Sequence, residues 1–414
     1  MVQAVRGMRD VLPVEGRRWR VVEQAVRKTL TQFAYEEVHL PLLEFTELFA
    51  RGVGEATDIV EKEMYSLADR DGDSLSLRPE GTASCVRALQ EHGLLFNQTQ
   101  RVFYAGPMFR YEKPQKGRYR QFYQIGAEAF GLAGPDVDAE LIYLCASFWE
   151  ALGLSEHVHL QLNTLGNKEA RVAYRQALVD YLTPYAADLD EDSQRRLQTN
   201  PLRILDSKHE GTQKLVADAP KLADFVDADS RQHYADLCVL LDDLGVTYQH
   251  NDHLVRGLDY YTHTVFEWIT DSLGAQGTVC AGGRYDGLVE RLGGKATPGV
   301  GFAMGLDRVL LLHEVVHQDE YTRAADVYIC LADPSHTAYA YQVAGVLRHA
   351  GHSVRVHAGG GNFKKQMKRA ANCGANAAIL LGADEAAAKT VTVKTLSTGE
   401  QSTVPLDELG VLFT

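Results

Sequence analysis

The sequence predicts an α+β protein with three parts: an antiparallel β-sheet domain flanked by helices, a helical insertion, and a C-terminal α/β domain. The sheet is predicted from two extended runs, 101–104 and 121–125, which flank a polar, basic loop as in an antiparallel hairpin with a long tip. The insertion is predicted from residues 166–245, which are helical in pattern and poor in β-branched residues. The C-terminal domain is predicted from short apolar runs that alternate with helical patterns over the last stretch of the chain.

Size and charge limit the possible functions. The chain has 414 residues, enough for two or three domains, and a net charge of −13 that argues against a nonspecific nucleic-acid coat but allows a local basic site. No apolar run has the length of a membrane span, and the first ten residues lack a secretory signal. The 6 cysteines are widely spread without a CxxC pair, which predicts buried free thiols, a reducing cytoplasm and no metal site.

The predicted elements of the first part follow from periodicity. Apolar residues recur every three or four positions over 15–33, which predicts an amphipathic helix. A strand that ends in proline is predicted at 38–41, and a helix at 138–152 follows the hairpin. Strand-like runs at 264–269 and 277–281 precede a glycine-rich stretch and a helix that begins near Leu306.

The insertion and the C-terminal part differ in character. The segment 181–245 is acidic and rich in Ala, Leu and Asp. After residue 325, three strands are predicted between helices, which gives a β-α-β-α-β order. These strands are 327–331, 354–356 and 377–381, and the helices are 336–350 and 363–373.

The tip of the hairpin carries concentrated positive charge. Between 110 and 120 it has five basic residues and one acid, with aromatic residues interleaved. Such a loop suits phosphate contact and base stacking, although a solvated turn has a similar composition. The basic residues are Arg110, Lys113, Lys116, Arg118 and Arg120, and the acid is Glu112.

Three further patterns point to ligand binding. Arg256 stands next to a glycine, where the backbone can approach an anion and a guanidinium can grip it, although a turn at a strand start explains the pair as well. The stretch 281–305 is glycine-rich but matches neither dinucleotide-binding nor phosphate-loop spacing; Arg308 beyond it suits a polyphosphate or a surface ion pair. Glu80 and Thr82, two residues apart, suit an ammonium group or the N-terminal cap of a helix.

Together these patterns resemble the histidyl-tRNA synthetases of the bacterial type, within the class II aminoacyl-tRNA synthetases, over essentially the whole chain. Residues 106–112 (GPMFRYE) resemble motif 2 and residues 301–308 (GFAMGLDR) resemble motif 3, whereas motif 1 is placed only loosely in 38–58. Residues 256–261 (RGLDYY) and 281–288 (AGGRYDGL) match two signatures particular to histidyl enzymes.

The resemblance implies a class II catalytic domain in two parts, 1–165 and 246–320, around the helical insertion 166–245. It implies that 325–414 is an anticodon-binding domain. The implied reaction joins L-histidine to ATP to give histidyl-adenylate and pyrophosphate, and then transfers histidine to the 3′ end of tRNA(His). The implied setting is a cytoplasmic homodimer that uses Mg²⁺ and has no membrane partner.

The resemblance also implies roles for individual residues. Arg110 and Arg256 are expected to be catalytic at the α-phosphate and carboxylate, and Arg308 to hold the γ-phosphate. Glu112 is expected to recognise the adenine amino group, and Phe122 to stack on the ring. The expected histidine-binding set, in which a carboxylate and tyrosines suit the two ring nitrogens, is Glu80, Thr82, Arg110, Gln124, Glu128, Arg256, Tyr260, Tyr261 and Tyr285.

For tRNA, the resemblance implies that the hairpin tip meets the acceptor stem. Gln115 and Arg120 are expected to read the region of the extra 5′ guanosine, and Lys116 and Arg118 to hold phosphates. In the C-terminal domain a lysine cluster suits nucleic acid, although a solvated helix explains it as well; the cluster is Lys364, Lys365 and Lys368.

Three other interpretations are weighed against this one. A histidyl-synthetase-like regulatory subunit of ATP phosphoribosyltransferase would lack the motif arginines and the C-terminal domain. A class IIa synthetase for threonine, proline or glycine would lack Glu128 and Tyr261 or would carry zinc ligands. A generic RNA-binding module would leave the glycine signatures unexplained.

Overall fold

The computed structural model describes residues 2–55, 57–205, 207, 209–318 and 323–412. The chain divides into two compact units, one of Met1–Val11 with Trp19–Gln318 and the other of Leu12–Arg18 with Asp319–Thr414. Within the described ranges, no helix is both long enough and apolar enough to cross a membrane.

The elements before residue 319 are helices and strands in mixed order. They are α1 (Pro13–Gln32), β1 (Glu36–Glu37), β2 (Leu43–Phe45), α2 (Thr46–Val53), β3 (Tyr65–Ala68), β4 (Ser74–Leu77), α3 (Thr82–Glu91), β5 (Gln100–Phe109), β6 (Gln121–Phe130), α4 (Pro135–Ala151), β7 (His159–Thr164), α5 (Lys168–Leu182), α6 (Glu191–Thr199), α7 (Glu210–Ala217), α8 (Ala228–Asp243), β8 (Tyr248–His250), β9 (Thr262–Ile269), β10 (Thr278–Arg284), α9 (Leu288–Arg291), β11 (Gly299–Gly305) and α10 (Leu306–Val316).

A sheet of eight strands forms the centre of the first unit, in the order β1-β5-β6-β11-β10-β9-β7-β8. The inner pairs from β5 to β7 are antiparallel, and only the edge pairs β1–β5 and β7–β8 are parallel. Apolar side chains of α1, α4, α8 and α10 form one buried core with the sheet. The predicted antiparallel-rich α+β fold is confirmed.

The hairpin in the structure is longer than the two extended runs that predicted it. Strands β5 and β6 pair over ten residues each, from Gln100 opposite Phe130 to Phe109 opposite Gln121. The amide of Arg110 then donates to the carbonyl of Arg120 at 2.9 Å, which closes the hairpin. The basic segment is therefore its loop, and Arg110 leaves the end of β5 in a fixed position.

Part of the glycine-rich stretch forms strands, at positions where neighbouring atoms leave no room for a side chain. Strand β11 lies between β6 and β10, with Gly301 opposite both Glu128 and Gly283. A Cβ atom on Gly301 would lie 1.7 Å from Oε2 of Glu128, and one on Gly282 would lie 2.2 Å from the carbonyl oxygen of Gly301. Glycine is required here because backbone and a buried carboxylate occupy the place of a side chain.

The strand predicted at 38–41 is wrong, since β1 ends at Glu37. The amide of Val38 makes one more ladder bond, to Phe103 at 2.8 Å. Beyond it, the carbonyls of Leu40 and Pro41 accept from Nη1 of Arg78, at 3.0 and 3.5 Å. These carbonyls therefore bond a side chain instead of a strand, and Pro41 has no N–H to donate.

A smaller sheet, β2-β4-β3, lies beside the main one. Its strands are three or four residues long and pair in antiparallel fashion. Leu43, Phe45 and Leu67 on this sheet are 43%, 59% and 46% exposed. Apolar side chains of this size in one place mark a surface suited to contact with another protein.

The insertion is helical, as its composition indicates. Helices α5, α6, α7 and α8 fall within it, together with 3₁₀ turns at Thr183–Asp188 and Pro201–Ile204. Leu237 and Leu241 of α8 belong to the core of the main sheet. The insertion is therefore packed onto the main sheet at its C-terminal helix.

The second unit contains a five-stranded sheet in the order β13-β12-β14-β15-β16. The three predicted strands are present and parallel, and two unpredicted strands extend the sheet in antiparallel fashion. Its elements are β12 (Val327–Leu331), α11 (Thr337–His349), β13 (Val354–Val356), α12 (Phe363–Asn372), β14 (Ala377–Leu381), α13 (Ala383–Ala388), β15 (Thr390–Thr395), β16 (Gln401–Pro405) and α14 (Leu409–Leu412).

Candidate active site

One cavity of the first unit collects most of the predicted site residues. Arg110 reaches it from the end of β5, Arg256 from the loop between β8 and β9, and Arg308 from the first turn of α10. Three arginines from distant parts of the sequence therefore border one space. The predicted residues that line it are Glu80, Thr82, Arg110, Glu112, Arg118, Phe122, Gln124, Arg256, Tyr260, Tyr261 and Arg308.

Arg110 is fixed by its neighbours. Its Nε donates to the carbonyl of Pro79 at 2.9 Å, and its guanidinium carbon lies 5.2 Å from the centre of the Phe122 ring. Burial lowers the pKa of this arginine, but a guanidinium starts from so high a value that it stays charged. Arg110 is thus a preorganised cation beside an aromatic face.

Arg256 is held by an acid on the neighbouring strand. It pairs with Glu267 of β9, whose other oxygen accepts from the Thr278 hydroxyl at 3.1 Å. Its guanidinium carbon lies 5.7 Å from the centre of the Tyr261 ring. Burial opposes the charged form, but the Glu267 carboxylate together with the Tyr261 and Tyr260 side chains raises the pKa of Arg256.

Arg308 is oriented by three acceptors. It donates to the carbonyls of Gly117 at 3.1 Å and Thr278 at 2.7 Å, and to Oε1 of Gln276 at 2.9 Å. Burial first, and then the positive charges of Arg110 and Arg118, lower the pKa of Arg308 to about 10. The cations are close enough to repel one another, so the cavity favours an anion with several charges.

The residues of the hairpin loop separate into two groups. Glu112 pairs through Oε2 with Arg118, and both side chains line the cavity. Gln115 and Lys116 are exposed outside it. Arg120 packs its guanidinium carbon 3.7 Å from the centre of the Tyr111 ring and donates to the carbonyl of Glu112 at 3.1 Å. Of the four residues predicted for tRNA, only Arg118 reaches the cavity.

Glu128, like Tyr285, is 1% exposed and does not line the cavity, although it bonds residues that do. Its Oε1 accepts from the hydroxyls of Thr82 at 2.7 Å and Tyr104 at 3.0 Å, and its Oε2 accepts from Tyr285. Burial raises the pKa of Glu128 to about 8, although the hydrogen bonds from Tyr285, Thr82 and Tyr104 favour the ionised form.

Glu80 both caps a helix and lines the cavity. Its Oε2 accepts from the amide of Thr82 at 2.7 Å and its Oε1 from that of Ala83 at 2.9 Å, at the start of α3. Burial raises the pKa of this carboxyl, while the two amides lower it. The two uses proposed for Glu80 from sequence are compatible, because each carboxylate oxygen has a second lone pair.

Several side chains at the site have no sequence signal of their own. Asp307 lines the cavity, accepts from the amide of Tyr123 at 2.7 Å and pairs with Arg9 at 2.6 Å. Tyr104 reaches Glu128 from β5, where an apolar-aromatic strand pattern hid its role. A groove beside the cavity shares Arg110 and Arg256 with it and also contains arginines of the acidic insertion, namely Arg195, Arg196 and Arg203.

The lysine cluster lies in the second unit, on α12. Lys364, Lys365 and Lys368 are exposed, and Asn362 caps the helix by accepting from the amide of Lys365 at 3.0 Å. The buried side chain of Gln366 anchors the helix to Leu331, with two hydrogen bonds of 2.8 Å. The lysines thus stand on a helix of fixed orientation within this unit.

Two family profiles cover most of the chain. Residues 7–309 match the profile described as histidyl-tRNA synthetase, and residues 326–412 match the profile of the anticodon binding domain. The first match contains the whole cavity, and the second contains the lysine cluster.

Solved structures with similar folds include synthetases of two bacteria. An apo histidyl-tRNA synthetase of S. aureus is 36% identical, with all of both chains covered and a TM-score of 0.79. A histidyl-tRNA synthetase from Nostoc sp. PCC 7120 is 19% identical, with 99% of this chain and 98% of that one covered and a TM-score of 0.74. A protein of Bacillus halodurans described as an ATP phosphoribosyltransferase regulatory subunit/histidyl-tRNA synthetase is 21% identical, with 89% and 96% covered and a TM-score of 0.66. The last two show the fold alone.

Proposed function

The chain belongs to the histidyl-tRNA synthetase family and is a histidine–tRNA ligase that uses ATP, and we propose that the arginine-bordered cavity is its active site. The observation that carries this proposal is the convergence of Arg110, Arg256 and Arg308 on one space. In the first step an oxygen of the histidine carboxylate bonds to the α-phosphorus, and the bond to pyrophosphate breaks. In the second step a ribose hydroxyl of the tRNA 3′ end takes the histidyl group, and AMP leaves.

We assign catalysis of the first step to Arg110 and Arg256. Negative charge develops on the α-phosphate oxygens during the attack, and fixed cations in a partly buried site stabilise it without reorganising. Contacts to Pro79 and Glu267 hold these two guanidinium groups in place before the substrate arrives. Arg308 is assigned to the γ-phosphate, and its lowered pKa supports a site that gains from a polyanion.

The adenine is assigned to Phe122 and Glu112. Phe122 offers a ring face next to the Arg110 guanidinium. Glu112 uses Oε2 for Arg118, which leaves Oε1 as the atom that we assign to the adenine amino group. An acceptor at this position distinguishes an amino-purine from an oxo-purine, since only the former has a donor there.

The histidine ammonium is assigned to Glu80, Thr82 and Gln124, which share the cavity wall. The imidazole is assigned to Glu128 and Tyr261, with Tyr260 and Tyr285 around them. The rings of Tyr260 and Tyr285 lie 5.5 Å apart, and those of Tyr260 and Tyr261 lie 4.6 Å apart, which supports one aromatic pocket. The imidazole ring has two nitrogens, and polar partners on opposite sides of the pocket can each form a hydrogen bond with one of them. An apolar side chain of the same shape would leave those partners without hydrogen bonds, so the pocket would reject it.

Magnesium is proposed only as a companion of the nucleotide. Among the residues that the structure describes, no group of three or more His, Cys, Asp or Glu side chains is arranged to hold a metal ion. Phosphate oxygens of the nucleotide would supply most of the ligands of a magnesium ion, as in other nucleotide sites. No step above depends on the ion.

We assign residues 1–165 and 246–320 to the catalytic domain, 166–245 to the insertion and 325–414 to the anticodon-binding domain. Gln115, Lys116, Arg118 and Arg120 remain our candidates for the acceptor stem; exposure of the first two supports this. The groove lined by insertion arginines and Arg256 supports an approach of the tRNA 3′ end from that side. The second unit is assigned to the anticodon through its family and its exposed lysines.

We also propose that the protein acts as a homodimer in the cytoplasm. The exposed Leu43, Phe45 and Leu67 support an apolar interface at the small sheet, and free thiols support a reducing compartment. In analytical ultracentrifugation, Phe45→Glu should convert the dimer to a monomer. If the variant is still a dimer, the interface lies elsewhere on the protein.

Histidine-dependent exchange of pyrophosphate into ATP by the purified protein tests the central assignment. The exchange should require L-histidine and should not occur with threonine, proline or glycine. Exchange that does not depend on histidine would reject the pocket assigned here.

A further inference from the structure

The loop that carries Arg256 and Tyr261 has no regular backbone bonding of its own. It runs from β8 to β9 without a helix or strand between them. It contributes Arg256, Leu258, Tyr260 and Tyr261 to the cavity. Because a loop without a ladder of hydrogen bonds is positioned by its side-chain contacts, those contacts determine where Tyr261 points.

Part of that support comes from the catalytic side. The amide of Asp259 donates to the carbonyl of Val53, at the end of α2, at 3.1 Å. At the other end of the loop, Nδ2 of Asn163 on β7 donates to the carbonyl of Leu254 at 3.1 Å. These two bonds do not hold the backbone around Tyr260 and Tyr261, so other contacts must position it.

The remaining support comes from the helical insertion. Arg171 of α5 uses Nη1 to donate to the carbonyls of Tyr261 at 2.5 Å and Asp259 at 3.3 Å. Asn200, which follows α6, donates through Nδ2 to Oδ1 of Asp259 at 3.1 Å. Arg171 thus bonds the carbonyls on either side of Tyr260.

We propose that Arg171 is a positioning residue for the histidine pocket, through which the helical insertion sets the place of Tyr261 and Tyr260. This inference rests on the proposed function of the cavity. Arg171 is not one of the described residues that line the cavity, so it acts through the two carbonyls and not on the substrate. The insertion is then a structural part of the amino-acid site, in addition to lining the groove that we assign to the tRNA 3′ end.

The chain offers a matched control one turn along the same helix. Arg175 also donates from its guanidinium to a backbone carbonyl, that of Thr199 at 3.0 Å. That carbonyl belongs to the insertion itself and not to the loop. Arg171→Ala and Arg175→Ala therefore remove the same kind of bond from the same helix, and only the first releases the pocket.

The test measures pyrophosphate exchange as a function of histidine and of ATP, with the Tm of each variant. Arg171→Ala should raise the histidine KM by about tenfold or more, since displacement of a binding group by about 1 Å can cost up to about 10²-fold. The ATP KM should change less than about twofold because Arg110 and Arg308 stand on other segments, and because Arg256 is held by Glu267 of β9 and not by Arg171. Arg171→Lys, which keeps one donor, should fall between wild type and Ala, and Arg175→Ala should match wild type.

Equal histidine KM values for Arg171→Ala and Arg175→Ala would overturn the proposal. So would equal losses for histidine and ATP that follow the drop in Tm, which would indicate a merely structural role. If Arg171→Ala does not fold, Arg171→Lys and Asn200→Ala carry the same test, because each weakens the hold on the loop. A wild-type protein without histidine-dependent exchange would reject the proposed function itself and not this inference alone.

Discussion

The hydroxyl of Thr82 donates to Oε1 of Glu128 across 2.7 Å, which joins the start of α3 to the C-terminal part of β6. Both residues were predicted to bind histidine, one at its ammonium and the other at its ring. The bond shows that the two ends of this proposed pocket are built as one hydrogen-bonded unit. It also keeps a lone pair of the Thr82 oxygen available to accept from a ligand.

The raised pKa of Glu128 predicts a pH dependence of stability. Its folded value is about 8, above the ordinary value of 4.5. The contribution of Glu128 to folding is therefore fully present below about pH 4.5 and is lost as pH rises through about 8. Relative to Glu128→Gln, whose amide does not titrate, the wild-type Tm should fall across this range and level off above it.

Thermal unfolding of both proteins in parallel from pH 5 to 9 checks this prediction. Subtracting the Gln variant removes the effect of groups common to both. A constant difference in Tm between the two proteins would show that the Glu128 carboxyl is ionised throughout.

Arg256→Ala should lower the rate of adenylate formation by about 10²-fold or more, as removal of a preorganised donor to developing charge does elsewhere. Histidine-dependent pyrophosphate exchange measures it. Circular dichroism and Tm should show a folded protein, although Glu267 loses its partner. Glu267→Gln is the companion variant, because it keeps the guanidinium but weakens its hold. An exchange rate near wild type for Arg256→Ala would remove that residue from the catalytic assignment.

Tyr261→Phe should weaken the use of histidine more than that of ATP. The hydroxyl is the group assigned to an imidazole nitrogen, and loss of one hydrogen bond to a buried polar group is worth about tenfold. The ring, which contacts Tyr260 and the Arg256 guanidinium, is kept. The ratio of kcat/KM for the two substrates is the readout, and equal losses would count against the imidazole assignment.

Replacing Lys364, Lys365 and Lys368 together by Ala should impair tRNA charging while histidine activation stays unchanged. The lysines are exposed on α12, and charge removal should make kcat/KM for tRNA less sensitive to salt, with a slope smaller by about 2. Lys389→Ala, an exposed lysine elsewhere in the same unit, serves as the control. Charging and salt dependence equal to those of the control would show that the three lysines are solvated and do not contact the tRNA.

The order of the parts, the hairpin and the residue types that the site needs can be predicted from the amino-acid sequence alone. Periodicity and glycine placement are local properties, so the helix at α1, the hairpin, and the alternating strands and helices of the second unit are readable along the chain. Strand ends were less predictable. At 38–41 an apolar run is no strand because Arg78, distant in sequence, takes its carbonyls.

Which of these residues meet depends on the folded chain. Arg110, Arg256 and Arg308 are far apart along the chain and have no pattern in common, and antiparallel pairing of β6, β10 and β11 brings their segments together. Arg171 carries no signal at all, since an arginine in a helical pattern is indistinguishable from a solvated one until its partners are seen. Sequence patterns record local bonding, whereas an active site is made by contacts between segments that only folding brings within a few ångströms.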